Sequence, residues 1–260
     1  MKNFLFCSFV VFSVLTLSGC FEGQSYAPEV VVDDRAQYRP NMYKTHPGRK
    51  ISKPLVFQSD DRSSYQLDCD NCLSGRTIVV DPGHGGKDPG AGLKIGFSSK
   101  PEKEIVLDIA LELAADLRKC GAKVIMTRRD DRFIELVDRA RIADKYHADL
   151  FVSVHADSIP HNPSIKGPTV YIARKSSKKS RIAALKINAA LRRWGLKPRG
   201  VRRANYKVLV SHLRPAVLVE CGYLTNRQEA RWLNSKWYRK KVAKALAEGI
   251  CSTGIKRKKY

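Results

Sequence analysis

Short apolar runs alternate with stretches of helical spacing from Thr77 to about Ile250. Thr77-Ile78-Val79-Val80 is a β-branched run that stops at Asp81-Pro82-Gly83, which predicts a strand and then a turn. Ile105, Ile109, Leu113 and Leu117 recur every four residues, with Val106 and Ala110 beside them. That spacing predicts a helix over 105–117, closed by Gly121 as a C-terminal cap. The same reading gives strands at 123–127, 150–154, 169–172, 208–210 and 216–219. It gives further helices at 133–147, with Arg and Asp on the outer face, at 180–194, with a basic face, and at about 235–250.

Strands that alternate with helices define an α/β fold class: a single domain with a mostly parallel sheet flanked by helices. The segment ahead of it differs. Residues 21–75 carry Pro28, Pro40, Pro47 and Pro54, several Asp, Ser and Arg, and little aliphatic periodicity. Such a segment buries little and reads as an irregular tether. The expected organisation is a signal peptide at 1–19, a tether at 20–75, a catalytic domain at 76–255 and a basic tail at 256–260.

In open α/β sheets ligands sit beyond the carboxyl ends of the strands. Three strands end there in ionisable residues: His84 follows the first, His155 the third and Glu220 the last. Buried charge is costly unless it is paired or bound to a metal. Two imidazoles and a carboxylate suit zinc with an open coordination position. Glu102 and Glu104, both at the start of the first helix, are equal candidates for the carboxylate by spacing alone. His46, His147, His161 and His212 read as ordinary structural histidines, and Asp81 and Asp157 either support the ligand histidines or cap turns.

The N-terminus changes the setting. Lys2 precedes a short apolar run that ends in Leu17-Ser18-Gly19-Cys20, the pattern of a secretory signal peptide. Its end resembles the lipobox of bacterial lipoproteins, which implies lipidation at Cys20. Phe21 follows that cysteine, which resembles the signal for outer-membrane sorting. The expected location is the bacterial cell envelope, as a periplasmic lipoprotein anchored in the outer membrane.

Charge then acquires a meaning. The chain of 260 residues has 48 Lys and Arg against 25 Asp and Glu, a net charge of +23. Among the charges only Lys2 leaves with the signal peptide. An exported cationic domain argues against nucleic acid as partner and for an anionic wall polymer or membrane face, docked along 174–203 and the tail. Of seven cysteines, Cys69, Cys72, Cys120, Cys221 and Cys251 remain after Cys7 and Cys20. Cys69-Asp70-Asn71-Cys72 has the spacing of half a zinc site or a redox pair, but no second such pair accompanies it. A local structural disulfide, or no special role, is the preferred reading. Ser176-Ser177-Lys178-Lys179 has the spacing in which lysine activates serine, yet lacks companion motifs and reads as a solvated loop. Cys221, next to Glu220, reads as a small buried strand-end residue rather than a nucleophile.

Four segments carry a family resemblance. Ile78-Val79-Val80-Asp81-Pro82-Gly83-His84-Gly85-Gly86-Lys87-Asp88-Pro89-Gly90-Ala91, Glu102-Lys103-Glu104-Ile105-Val106-Leu107, Val152-Ser153-Val154-His155-Ala156-Asp157 and Pro215-Ala216-Val217-Leu218-Val219-Glu220-Cys221-Gly222-Tyr223-Leu224-Thr225-Asn226 resemble, in order and spacing, the zinc-dependent N-acetylmuramoyl-L-alanine amidases of the amidase-3 type. The resemblance implies Zn2+ held by His84, Glu102 and His155, with Glu102 preferred to Glu104 because the family's Glu-Lys pair falls on Glu102-Lys103. It implies Glu220 as the catalytic general base. The implied reaction is hydrolysis of the amide between N-acetylmuramic acid and L-alanine in peptidoglycan. No long inhibitory insert fits between Asp157 and Glu220, so no activator protein is implied, and the chain is expected to act as a monomer with its membrane contact through the lipid anchor. The rival readings are a zinc hydrolase of another cell-wall bond and a non-catalytic wall-binding lipoprotein.

Overall fold

The computed structural model describes residues 69–91 and 98–254. The expected signal peptide, Cys20, most of the tether and the basic tail lie outside the described residues. Six strands form one sheet: β1 (Thr77–Pro82), β2 (Lys123–Met126), β3 (Leu150–Asp157), β4 (Thr169–Ile172), β5 (Val201–Arg203) and β6 (Ala216–Tyr223). Six helices accompany them among the described residues: α1 (Glu102–Lys119), α2 (Leu136–Lys145), α3 (Lys178–Arg193), α4 (Lys207–Val210), α5 (Arg227–Asn234) and α6 (Lys236–Cys251). The spatial order of strands is β2-β1-β3-β6-β4-β5. The pairings of β2, β1, β3 and β6 are parallel, and β4 meets β6 antiparallel, with β5 parallel to β4. The sheet is therefore mostly parallel, as the alternation predicts.

Strand periodicity divides the core in two. Ile78 and Val80 of β1, Val152 and Val154 of β3, and Val217 and Val219 of β6 face one apolar cluster shared with α1, α3 and α6. Val79, Phe151 and Leu218, each adjacent in its strand to one of these, face a second cluster with Ala143 of α2 and Val208 and Leu209 of α4. A sheet buried on both faces reads as a continuous apolar run, which is what these strands show. Between α3 and α6 the backbones approach closely: a Cβ on Gly249 would fall 2.6 Å from the Ile187 Cα.

Several elements depart from the sequence reading. The run Val208-Leu209-Val210 is part of the short helix α4 and not a strand, because both buried side chains of the helix reach the second cluster. The edge strand β5 and the helix α5 were not expected. α2 starts three residues late: Phe133 and Ile134 precede it, and the Ile134 carbonyl accepts from Arg139 Nε at 2.9 Å. Arg139 itself, expected on the outer face, is 1% exposed. Ser177 caps α3 by accepting from the Ser180 amide at 3.1 Å, so the serine-lysine stretch is a helix start. Cys69 and Cys72 do not pair locally; Cys69 is joined to Cys120 and Cys72 to Cys251. These bonds pin the end of the expected tether onto the domain, where Leu73 is buried. No helix among the described residues is long and apolar enough to cross a membrane.

Candidate active site

The carboxyl ends of β1 and β3 and the first turn of α1 meet at one point. His84 Nε2 lies 3.0 Å from Glu102 Oε1. His155 Nδ1 lies 3.2 Å from the same oxygen and 3.2 Å from His84 Nε2. The donor atoms of two histidines and one carboxylate thus form a nearly equilateral triangle. A tetrahedral cation with bonds of roughly 2.0–2.1 Å to nitrogen and oxygen needs donors about 3.3 Å apart. The triangle fits such a cation, and the donor set is the one that zinc-type chemistry uses.

Local sequence explains the placement. His84 sits at φ 58°, a left-handed conformation that a non-glycine residue adopts only when its surroundings enforce it. Two buried arginines do so. Arg139 Nη2 donates to the His84 carbonyl at 2.6 Å, and its Nη1 donates to the Pro82 carbonyl at 2.6 Å and to Asp81 Oδ1 at 3.0 Å. Arg128 donates to the carbonyls of Pro82, Gly83 and Lys103 at 3.1, 2.6 and 2.8 Å. Asp81 is fully buried and also accepts from Thr127 Oγ1 at 2.6 Å and Ser153 Oγ at 2.7 Å. It supports His84 through Arg139, without touching either imidazole.

The direct partner of His84 is Asp88, whose Oδ2 lies 2.8 Å from Nδ1. That contact leaves Nε2 facing the triangle and sets the orientation of the ring. Burial would lower the His84 pKa, but the Glu102 and Asp88 carboxylates outweigh it and raise it. Burial would likewise raise Glu102, yet its contacts to His155 and His84 hold it far below the usual carboxylate range. The same carboxylate accepts from the Ala156 amide at 3.0 Å and the Ala91 amide at 2.9 Å, which fixes both oxygens. Glu104 faces solvent and pairs with Lys100 at 3.4 Å, so of the two glutamates it is Glu102 that meets the histidines. Lys103 turns the other way and ties the Gly86 carbonyl to Asp131 at 2.8 and 2.7 Å.

Two glycines leave room for the rings. A Cβ on Gly83 would fall 2.2 Å from His155 Cε1. One on Gly90, at φ +66°, would fall 2.6 Å from Glu102 Oε2 and 2.8 Å from His84 Cδ2.

Glu220 is the register partner of His155 on the adjacent parallel strand, so both side chains leave the same face of the sheet. It is 6% exposed, and its Oε2 is buried with no hydrogen-bond partner among the described residues. Burial, with the Asp157 and Glu102 carboxylates behind it, pushes its pKa well above the ordinary value. Cys221 points to the opposite face, into the core with α1 and α6, away from the carboxylate. Asp157 accepts from the Ser158 amide at 2.6 Å and acts as a turn cap. His212 packs on Phe151 with ring centroids 5.0 Å apart, while His147 and His161 are exposed; none joins the site. Asp88, Arg128 and Arg139 were not found from the sequence; for Asp88 the four-residue step from His84 was the available signal.

The fold and the triangle define a mixed α/β domain with a His-His-Glu cluster able to hold a cation and a buried carboxylate in register on the neighbouring strand. The chain belongs to the family described as Amidase_3: N-acetylmuramoyl-L-alanine amidase, which it matches over residues 78–252. It is 34% identical to N-acetylmuramoyl-L-alanine amidase AmiA of Escherichia coli, over 68% of this chain and 75% of that protein. It is 36% identical over 185 residues to a protein of Staphylococcus epidermidis described as "Probable cell wall amidase LytH". That match spans 69% of this chain but only 59% of the relative. Among solved structures, N-acetylmuramoyl-L-alanine amidase AmiC2 of Nostoc punctiforme superposes with a TM-score of 0.62 at 37% identity, over 69% of this chain and 97% of that one. An N-acetylmuramoyl-L-alanine amidase from Clostridium difficile 630 gives a TM-score of 0.65 at 31% identity, over 68% of this chain and 95% of that one.

Proposed function

We propose that the domain hydrolyses the amide between the lactyl group of N-acetylmuramic acid and L-alanine of the peptidoglycan stem peptide. The observation that carries this reading is the triangle of His84 Nε2, His155 Nδ1 and Glu102 Oε1 with Glu220 in register beside it. His84, Glu102 and His155 would hold zinc, which when bound supplies a Lewis acid for the scissile carbonyl and lowers the pKa of water. The protein's own part is then direct. Asp88 and Arg139 hold His84 in place, and the Ala91 and Ala156 amides hold Glu102. Glu220 takes a proton from the attacking water on its unpartnered Oε2 and returns it to the leaving amine. Its raised pKa suits both halves of that cycle, because a carboxyl closer to neutrality both accepts and releases a proton readily.

The cellular setting follows the same reading. Export and acylation of Cys20 would hold the domain at the periplasmic face of the outer membrane, with the tether giving it reach to the wall. Basic residues on α3 and around 197–203 would dock anionic polymer without contacting the ligands. Residues 158–219 contribute β4, α3, β5, α4 and the start of β6, with no long helical insert among them, so this reading calls for no activator protein. Glu220→Ala tests the assigned base: we expect loss of turnover with zinc binding kept. Full turnover by that variant would contradict the mechanism.

A further inference from the structure

Four of the five cysteines described converge outside the active site. Cys69 and Cys72 lie on the turn before β1, Cys120 caps the end of α1, and Cys251 is the last residue of α6. The bonded pairs, Cys69–Cys120 and Cys72–Cys251, have Cα–Cα distances of 5.3 and 5.7 Å. They are not two separate staples. The Sγ atoms of Cys72, Cys120 and Cys251 all lie within 4.8 Å of one another, and the Cys69 sulfur is bonded to that of Cys120. Two disulfides alone do not require sulfurs of both bonds to lie this close together.

Backbone contacts hold Cys69, Cys72 and Cys120 together independently of the sulfur bonds. The Cys72 amide donates to the Cys69 carbonyl at 2.7 Å, which closes the CxxC turn. The Leu73 amide donates to the Cys120 carbonyl at 2.9 Å, which fastens the turn to the end of α1. A Cβ on Gly121, at φ +89°, would fall 3.2 Å from the Ser74 amide nitrogen, so the corner after α1 is pressed against the same turn. A structural tetrathiolate site takes four cysteine sulfurs; here the CxxC turn would supply two and the ends of α1 and α6 one each.

We propose that, with both disulfides reduced, Cys69, Cys72, Cys120 and Cys251 bind one zinc ion as a structural tetrathiolate site distinct from the His84–Glu102–His155 site. Zinc–sulfur bonds of roughly 2.3 Å place the four sulfurs about 3.8 Å apart. The Cys72, Cys120 and Cys251 sulfurs already lie within 4.8 Å of one another, so the site asks only that the Cys69 side chain, released from Cys120, rotate to join them. In the redox step each disulfide takes two electrons and two protons from a dithiol reductant, which leaves as its own disulfide. Zinc then displaces one proton from each of the four thiols. The disulfide and zinc forms are mutually exclusive, and each ties the turn before β1 to α1 and α6. Cys221, buried in β6, takes no part.

The test is zinc content of the folded full chain after anaerobic treatment with a dithiol and removal of excess metal. The reduced protein is expected to hold two zinc ions per chain and the oxidised protein one. Cys72→Ser/Cys251→Ser, reduced, is expected to hold one, with its fold checked by circular dichroism. Cobalt(II) in place of zinc gives the reduced wild type a thiolate-to-metal charge-transfer absorption that the oxidised protein lacks. The oxidised wild type serves as a folded control that does not depend on the variant. A reduced, folded chain that holds a single zinc and shows no thiolate band would overturn the proposal.

Discussion

His155 Nδ1 lies 3.2 Å from His84 Nε2, although 71 positions separate the two residues in the chain. The contact exists because β1 and β3 are parallel neighbours in the sheet and both end at its carboxyl edge. Two unprotonated ring nitrogens repel at that distance unless a proton or a cation lies between them. The arrangement therefore predicts that the chain binds one divalent cation there and is stabilised by it in proportion to RT ln(1 + [L]/Kd). Thermal unfolding of the oxidised chain, whose four paired cysteines are held in disulfides, with increasing zinc checks this; an unchanged midpoint contradicts it.

Gly83 is the most direct probe of the space that His155 occupies. Gly83→Ala places a methyl 2.2 Å from His155 Cε1, so the ring must move. We expect zinc affinity to fall by at least tenfold, in the range of about 10–100-fold seen when a ligand's support is lost. Isothermal titration with the fold verified by circular dichroism measures it, and unaltered affinity would show that the ring has another seat.

Arg139 and Asp81 form a buried ion pair at 3.0 Å that positions the His84 carbonyl. Arg139→Met leaves the Asp81 charge buried without its guanidinium, which costs about 3–5 kcal/mol. Urea denaturation of the metal-free chain should show that loss. Adding Asp81→Asn should recover part of it, since the orphaned charge is removed. The double variant should still bind zinc more weakly than wild type, because His84 has lost its clamp.

The pH dependence follows from Glu220. Its pKa is raised, first by burial and then by Asp157 and Glu102, and only the ionised form accepts a proton from water. Activity should therefore fall as pH drops through that raised value, above the about 4.3 of an ordinary glutamate. Asp157→Asn removes one like charge, so the acid limb should move to lower pH. A limb that stays in place, measured as kcat/KM against pH, would detach it from Glu220.

The Cys72–Cys251 bond links positions 179 residues apart and ties α6 to the turn before β1. Replacing both cysteines with alanine should lower the unfolding free energy of the oxidised chain by about 2–5 kcal/mol. Guanidinium denaturation under non-reducing conditions checks the loss.

The strands were legible because both faces of the sheet are buried, so their apolar runs are nearly unbroken and end sharply at Asp81, His155 and Glu220. α1 was legible from its four-residue spacing, though the structure extends it to Glu102 and so brings the carboxylate to the site. α4 was not legible, because a three-residue apolar run has no periodicity that separates helix from strand. β5, Val-Arg-Arg at the sheet edge, is too short and polar to show a pattern. Arg139 was assigned to solvent on charge alone; its burial depends on Asp81 and the His84 loop, contacts 58 and 55 positions away. The cysteine pairing was equally out of reach, since its partners are 51 and 179 positions apart.

Product analysis on purified peptidoglycan is the most direct measurement of the central claim. The mature chain with zinc should release free stem peptides bearing N-terminal L-alanine and leave glycan strands intact, and Glu220→Ala should release none. Cleavage within the stem peptide or within the glycan by the wild-type chain would contradict the account.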